Sequence, residues 1–178
     1  MKRFSYSIEV PKELGLYSKP IVSKFIETLT DPRSWKGHQF EFVSVQSPPS
    51  STLRRTSRHV GDVPSQRLGK VQPNSKNHIR IIFARNVQIK NTCGFTGLSC
   101  ADTINKIVYI NERNWRCPPK VSGLSLQEYR TYLILHEIGH IIGKNHPIKC
   151  GKVGTKMDVM TQQTLGKCTK INTKNVWP

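Results

Sequence analysis

Long apolar runs are missing from this sequence of 178 residues. No stretch approaches the 18 or more apolar residues that a membrane-spanning helix needs, so we expect no transmembrane segment. The basic first residues, Met1 to Arg3, are not followed by the apolar core of a signal peptide. The sequence therefore predicts an intracellular or virion-associated chain, unless a leader has been removed from a secreted one.

Carboxylates are also scarce. The sequence holds 11 Asp and Glu against 28 Lys and Arg, which gives a formal net charge of +17. This excess favours polyanionic partners such as nucleic acid, an acidic membrane surface or an acidic protein, without choosing among them. No named nucleic-acid-binding module is visible.

The five cysteines include no C-x-x-C pair, which argues against a zinc site built from cysteines. Disulfide bonds would instead indicate an oxidising compartment, in conflict with the missing signal peptide. Spacing alone leaves the connectivity of the cysteines open.

The sequence does contain one dense histidine motif, H-E-x-x-H-x-x-G-x-x-H, from His136 to His146. His136 and His140 are four residues apart, so on a helix both imidazoles can bind one Zn²⁺. Gly143 can adopt the left-handed conformation that ends a helix, after which His146 can supply a third nitrogen. Three ligands leave one position open, as in catalytic zinc sites. Glu137 lies where it can accept a proton from a water at that position.

Chance is a weak explanation for this motif. A shorter H-E-x-x-H occurs by accident on many amphipathic helices, where its histidines are ordinary core or surface residues. With this composition, all five positions would match in roughly two of 100,000 chains of this length. The sequence therefore predicts one zinc ion per chain.

A helix around the motif is predicted independently. Ser125 and Glu128 form the S-x-x-E pattern of a capping box. Residues 126–142 lack proline and are apolar on most sides, so the helix should be largely buried. Downstream, Met160 is the candidate for the methionine turn that zinc peptidases with the extended motif carry beneath the metal, with Met157 as the rival. A lone methionine more often simply fills the hydrophobic core. Only its position after the third histidine favours Met160 as the methionine of such a turn.

The remaining pattern predicts an α+β fold in a single domain. Alternating apolar residues predict strands at residues 4–10, 40–45, 78–84 and 104–110. A helix should begin at Pro20 and end near Asp31. We expect these strands to form a twisted β-sheet that is backed by two main helices, one of which carries the zinc motif. The other histidines lack ligand spacing and should be ordinary surface or strand residues: His38, His59 and His78.

Residues 47–77 break this pattern. The segment is rich in serine and proline and carries six Lys and Arg against one carboxylate. A structureless stretch of this length is unusual inside a compact domain. It is either a mobile insertion or a basic arm that becomes ordered on a polyanion, with Arg54, Arg55 and Arg58 as candidate contacts.

Several stretches carry a resemblance to known proteins. They are residues 129–132 and 159–166 around the motif, Cys168 with residues 175–178 at the end, and residues 29–35 upstream. The motif resembles the metzincin clan of zinc metallopeptidases, and these stretches resemble its DUF3152 branch over most of the chain except residues 47–77. Leu135 departs from the pattern, which has a polar residue before the first zinc histidine.

The resemblance implies further features. It implies a metzincin-like α+β fold, in which an edge strand aligns an extended substrate, and residues 104–110 are the candidate for that strand. It also favours the disulfide pairs Cys93–Cys100 and Cys150–Cys168, which leaves Cys117 unpaired.

Two functions are compatible with these patterns. The first is a zinc-dependent endopeptidase that hydrolyses peptide bonds of a peptide or protein substrate, with Glu137 as the general base. The second is a basic structural or assembly protein, associated with nucleic acid or a virion, on a metzincin-like scaffold. The intact Glu137 favours the first, and the charge and the basic segment favour the second.

Overall fold

A mixed five-stranded sheet forms the centre of the molecule. The computed structural model describes residues 1–45 and 76–178, in which the chain adopts an α+β fold. The strands are β1 (Lys2–Glu9), β2 (Phe40–Ser44), β3 (His78–Ala84), β4 (Cys100–Asp102) and β5 (Ile107–Asn111). Their order is β2-β1-β3-β5-β4, in which β4 runs antiparallel to β5 and all other neighbours are parallel. The predicted α+β class is confirmed.

The basic segment predicted at residues 47–77 lies outside the described residues, except for Lys76 and Asn77. Its candidate contacts Arg54, Arg55 and Arg58 lie outside them as well, as does His59.

Two long helices accompany the sheet, as predicted. They are α1 (Ser18–Thr30) and α4 (Leu126–Ile141), the second of which carries the histidine motif. Two short helices were not predicted, α2 (Asn86–Cys93) and α3 (Glu112–Arg116). Ile89 is the one buried residue of α2, so this helix has no apolar stripe to reveal it. No helix in the described ranges is long and apolar enough to cross a membrane.

The core joins α1 and α4 to one face of the sheet. Alternate side chains of β1, β3 and β5 are buried on this face, where Phe25 of α1 lies against Tyr6 and Phe83. Trp115 of α3 completes an aromatic cluster, stacked on Phe25 and edge-on to Phe83 at a centroid distance of 5.1 Å. This packing holds α4 in place against the sheet.

The strand predicted at residues 104–110 begins three residues later than predicted, and its predicted place at the edge of the sheet is wrong. Residues 103–106 form a turn, in which the Asp102 side chain accepts hydrogen bonds from the backbone of Ile104 and Asn105. The strand β5 follows this turn and lies between β3 and β4, so it is internal. The strand at this edge of the described sheet is β4, which is too short to show an alternating pattern. Ile104 is 89% exposed, because it lies at the tip of the β4–β5 hairpin.

Both disulfide bonds expected from the resemblance are present. Cys93–Cys100 joins the end of α2 to β4, and Cys150–Cys168 joins two loops of the C-terminal segment. Cys117 is a free, exposed thiol. The two histidines outside the motif that the structure describes are ordinary residues: His38 is exposed, and His78 of β3 lies between the hydroxyls of Ser5 and Ser7.

Candidate metal centre

Helix α4 begins and ends as its sequence predicts. The Ser125 side chain accepts a hydrogen bond from the backbone of Glu128, and the Glu128 carboxylate accepts one from the backbone of Ser125. At the other end, Gly143 has a φ of +91°. Its N–H donates to the His140 carbonyl while the N–H of Lys144 donates to Gly139, which is the Schellman arrangement. This turn reverses the chain and brings His146 back toward the helix.

The three histidines of the motif converge on one point. The Nε2 atom of His146 lies 3.2 Å from that of His136 and 3.1 Å from that of His140. Two nitrogens bound to one zinc at about 2.0–2.1 Å in a tetrahedron are about 3.3 Å apart. The spacing of the three imidazoles therefore suits a single metal ion, and this group could hold one.

Hydrogen bonds at the opposite ring nitrogens support the same orientation. The Nδ1 atom of His136 lies 2.9 Å from the Val159 carbonyl, and that of His140 lies 2.9 Å from the Lys144 carbonyl. A carbonyl only accepts, so each Nδ1 carries the proton and each Nε2 presents a lone pair. When His136 and His140 are neutral, only the Nε2 atom of His146 can carry a proton. That single hydrogen can point at one of the two facing lone pairs, so the other has no donor. A cation would satisfy all three.

Burial keeps these imidazoles neutral. It lowers the pKa of His136 to about 3, and it lowers the pKa values of His140 and His146 as well. The positive charge of Lys167 contributes to the lowered pKa of His146. Neutral imidazoles are the form that binds metal, because a protonated nitrogen has no free lone pair.

Glu137 is buried beside the first histidine. It is 4% exposed, and burial raises the pKa of its carboxyl to about 8. No hydrogen bond or cation within residues 1–45 and 76–178 offsets this rise. A divalent cation bound by the neighbouring histidines would lower the pKa again by favouring the ionised form.

Met160 lies under the histidine helix. A Cβ atom built on Gly139 would be 2.4 Å from Met160 Sδ and 3.0 Å from Cζ2 of Trp35. The Trp35 indole donates a hydrogen bond of 2.8 Å to the Leu135 carbonyl, so it is fixed against the same helix. Met160, rather than the rival Met157, is thus the methionine that contacts Gly139, between the two histidines of the helix.

The substitution Gly139→Ala tests how closely Met160 and Trp35 pack against the helix at Gly139. In the wild type the new methyl group overpacks Met160 and Trp35, so we expect a loss of about 1–3 kcal/mol, reduced by the better helix propensity of alanine. In a Met160→Ala background the same change fills vacated space and should be stabilising. Chemical denaturation of the four proteins in this cycle gives the coupling energy. Equal effects of Gly139→Ala in both backgrounds would contradict the contact.

Two tyrosines of α4 position the chain that follows Met160, and the sequence analysis assigned them no role. The Tyr132 hydroxyl donates to the Thr161 carbonyl and accepts from the Gln163 N–H, both at 3.1 Å. Tyr129 shares a 3.0 Å hydrogen bond with the hydroxyl of Thr164. Spacing of three and four residues places these tyrosines on the face of His136, a signal that the sequence did contain.

The histidines open into a cleft of about 370 Å³. One wall is formed by β4 and the loop before it, and the other by residues 162–165. Asn111 and Asn114 hold the first wall, since Asn111 donates to Asn86 and Asn114 donates to the Gly97 carbonyl. The walls are mainly apolar, with these members: Phe95, Leu98, Ala101 and Leu165.

Comparison with known proteins gives one match. No curated protein and no solved structure matches the chain. The family model described as "Protein of unknown function (DUF3152)" matches residues 50–176. This match includes most of residues 47–77, which the resemblance excluded, and it does not extend to residues 29–35. Because it covers well over half of the sequence, the chain belongs to the DUF3152 family.

Proposed function

We propose that the protein is a zinc-dependent endopeptidase of the metzincin type. The observation that carries this proposal is the convergence of three imidazole Nε2 atoms beside a buried glutamate, at the floor of an open cleft. A structural zinc site would be closed by a fourth protein ligand. Among the described residues, no fourth histidine, cysteine or carboxylate joins the group.

The donor set allows several metals, and the motif favours zinc among them. Three neutral imidazoles suit zinc as well as copper, nickel or iron, so the assignment to zinc rests on the similarity of the motif to zinc peptidases. The residues that would hold the ion are His136, His140 and His146. A zinc ion bound there would supply a Lewis acid that acidifies a water and polarises the substrate carbonyl.

The protein's own residues supply the proton transfers. Glu137 follows His136 and its carboxylate faces the cleft, so it can accept the proton of the attacking water. It then delivers that proton to the leaving amine when the peptide bond breaks.

The edge strand β4 is the element that would align the substrate. Its pairing with β5 uses one side, and its other side has no partner strand in the described part of the chain. Cys100 and Ala101 of β4 line the cleft, so an extended peptide paired with this edge would pass over the histidines. We therefore assign to β4 the substrate-aligning role that was predicted for residues 104–110. The metzincin-like fold that the resemblance implies remains part of this proposal.

Proteolysis of an unbiased peptide library tests the proposal. The purified protein should contain about one zinc per chain and should cleave internal peptide bonds at neutral pH. A chelator should abolish cleavage, and added zinc should restore it, as measured by mass spectrometry of the products. A protein loaded with one zinc that cleaves no member of a diverse library would contradict the endopeptidase function.

A second candidate function rests on charge. Residues 144–174, which begin at the end of the motif, carry seven lysines, and none of them pairs with a carboxylate in the described residues. We infer that the chain also binds polyanions, as a basic assembly protein would. The basic segment at residues 47–77 is the proposed contact, through Arg54, Arg55 and Arg58.

Salt dependence tests the polyanion proposal. Changing Arg54, Arg55 and Arg58 to serine should weaken binding to duplex DNA, and should lower the slope of log affinity against log salt by about 2–3 if each arginine contacts one phosphate. The control replaces the exposed residues Lys12, Lys19 and Lys36 with serine, which removes the same net charge elsewhere. Equal effects of both triple variants would show nonspecific attraction rather than a contact at this segment.

A further inference from the structure

One wall of the cleft includes Gln162, whose side chain is paired with the exposed Lys167 of the same loop. The Gln162 side chain lines the cleft together with the three histidines. Lys167 Nζ donates a hydrogen bond of 2.6 Å to Gln162 Oε1. Because the lysine occupies this oxygen, the amide nitrogen of Gln162 keeps its two hydrogens for another acceptor.

The backbone fixes the two residues relative to each other. Residues 162–167 form a closed turn, in which Lys167 N–H and Leu165 N–H both donate to the Gln162 carbonyl. Gly166 has a φ of +70°, which allows the chain to reverse within these few residues. Cys168 follows directly and is held in the disulfide bond with Cys150. The ammonium and the amide are therefore presented from a constrained loop rather than from a free tail.

The charge of Lys167 is not balanced by a carboxylate in the described part of the chain. None of the ion pairs found within residues 1–45 and 76–178 includes it. The carboxylate that lines the cleft, Glu137, belongs to the catalytic group on the floor. The nearest acidic residue in sequence, Asp158, already accepts a hydrogen bond from the backbone of Met160. An anionic group bound at Gln162 would thus meet the free amide hydrogens of Gln162 and, beside them, the ammonium group of Lys167, between walls that are mainly apolar.

We propose that Lys167 and Gln162 form a carboxylate-binding subsite, which makes the cleft select peptides with Asp or Glu close to the bond that is cut. This inference rests on the proposed endopeptidase function and names its substrate class. One ammonium group and one amide match a single carboxylate, which accepts several hydrogen bonds. A nucleic-acid strand is instead bound by rows of cations along its phosphates, which this cleft of about 370 Å³ does not offer.

The expected preference follows from charge-assisted hydrogen bonds. With an exposed ammonium group and a half-buried amide, such bonds correspond to roughly a 10-fold difference in affinity. Peptides that differ only in Glu, Gln or Lys at each position around one cleavage point should show this difference in kcat/KM for the wild type. Lys167→Met should remove most of it, and Lys167→Glu should reverse it in favour of the Lys peptide.

The matched control is Lys170→Met, which removes an exposed lysine of the same segment and leaves the hydrogen bond between Lys167 and Gln162 in place. It should leave the Glu preference unchanged. Gln162→Glu places a carboxylate on Lys167 and should abolish the preference while the turn remains intact. Cleavage by the wild type with no preference, or with a preference that Lys167→Met leaves intact, would overturn the subsite and leave the endopeptidase function standing.

A binding measurement separates this proposal from the proposed function. Fluorescence anisotropy of labelled Glu and Gln peptides, on the zinc-loaded Glu137→Gln protein, reads the subsite without turnover. A preference that depends on Lys167 supports the subsite even if the wild type cleaves nothing, which would contradict only the endopeptidase function. Displacement of the Glu peptide by an oligothymidylate, equally in the Lys167→Met and unsubstituted proteins, would overturn the subsite and assign the binding to general polyanion affinity.

Discussion

Glu137→Gln should keep the metal and the fold but lose peptide hydrolysis. Glutamine has nearly the same size, and the three histidine ligands stay in place, so one zinc per chain is expected. The change removes the base that takes the proton from the attacking water, a function worth 10²–10⁴-fold in rate in typical enzymes. The measurement compares kcat/KM for a library-derived peptide and zinc content in both proteins.

A control on the same helix sharpens this result. Glu128→Gln removes a carboxylate from α4, outside the cleft, and the amide oxygen of glutamine can still accept the hydrogen bond from Ser125. Its activity should remain close to that of the wild type. If Glu137→Gln retains the activity of a cleaving wild type, Glu137 is not the base and the mechanism is wrong. If neither protein cleaves peptides while both keep zinc and bind a polyanion, the result favours the proposed function as a basic assembly protein.

His140→Ala should strip the metal from the protein. It removes one of three ligands and also the 2.9 Å hydrogen bond that ties the helix end to the Lys144 carbonyl. Zinc content should fall from about one per chain to near zero after dialysis. The variant should also lose the metal-dependent rise in melting temperature, since a ligand at 1,000 times its Kd stabilises by about 4 kcal/mol.

The control for this loss is His38→Ala, because His38 is exposed and lies outside the site. That variant should retain its zinc and its response to a chelator. Differential scanning calorimetry with and without zinc, together with metal analysis, compares the three proteins. Stoichiometric zinc in the His140→Ala protein would show that the metal is bound elsewhere, and the ligand assignment would then be wrong.

The histidine centre was predictable because its geometry is local. His136 and His140 are one helical turn apart wherever their helix lies, and Ser125 and Gly143 mark the ends of that helix with short-range hydrogen bonds. His146 reaches the other two histidines through one reversal of the chain, which the left-handed conformation of Gly143 permits. The disulfide pairs were available from the resemblance, since spacing left their connectivity open.

The edge of the sheet was not predictable in the same way. Strand β4 has three residues and is identified by its pairing with β5, which depends on the turn that Asp102 stabilises. The apolar run at residues 104–110 was mistaken for one strand because the exposed Ile104 at the hairpin tip continues the pattern of β5. Helix α2 escaped prediction because a helix with one buried residue has almost no periodic signal.

Leu135 shows how packing decides what a motif leaves open. The residue before the first histidine departs from the related pattern, and in the structure its side chain is fully buried in the core. Its carbonyl accepts the hydrogen bond from Trp35. An apolar residue suits this position because the helix is covered by protein on that side, which no local pattern reveals.

By itself, the sequence determined the α+β class, the helix that carries the motif and the three histidines that can share an ion, because each depends on contacts within a few turns of chain. The tertiary structure decided which strand borders the cleft, which methionine lies beneath the helix, and that Gln162 lines the cleft together with the histidines. These features join residues far apart in sequence, and such contacts form only when the whole core packs.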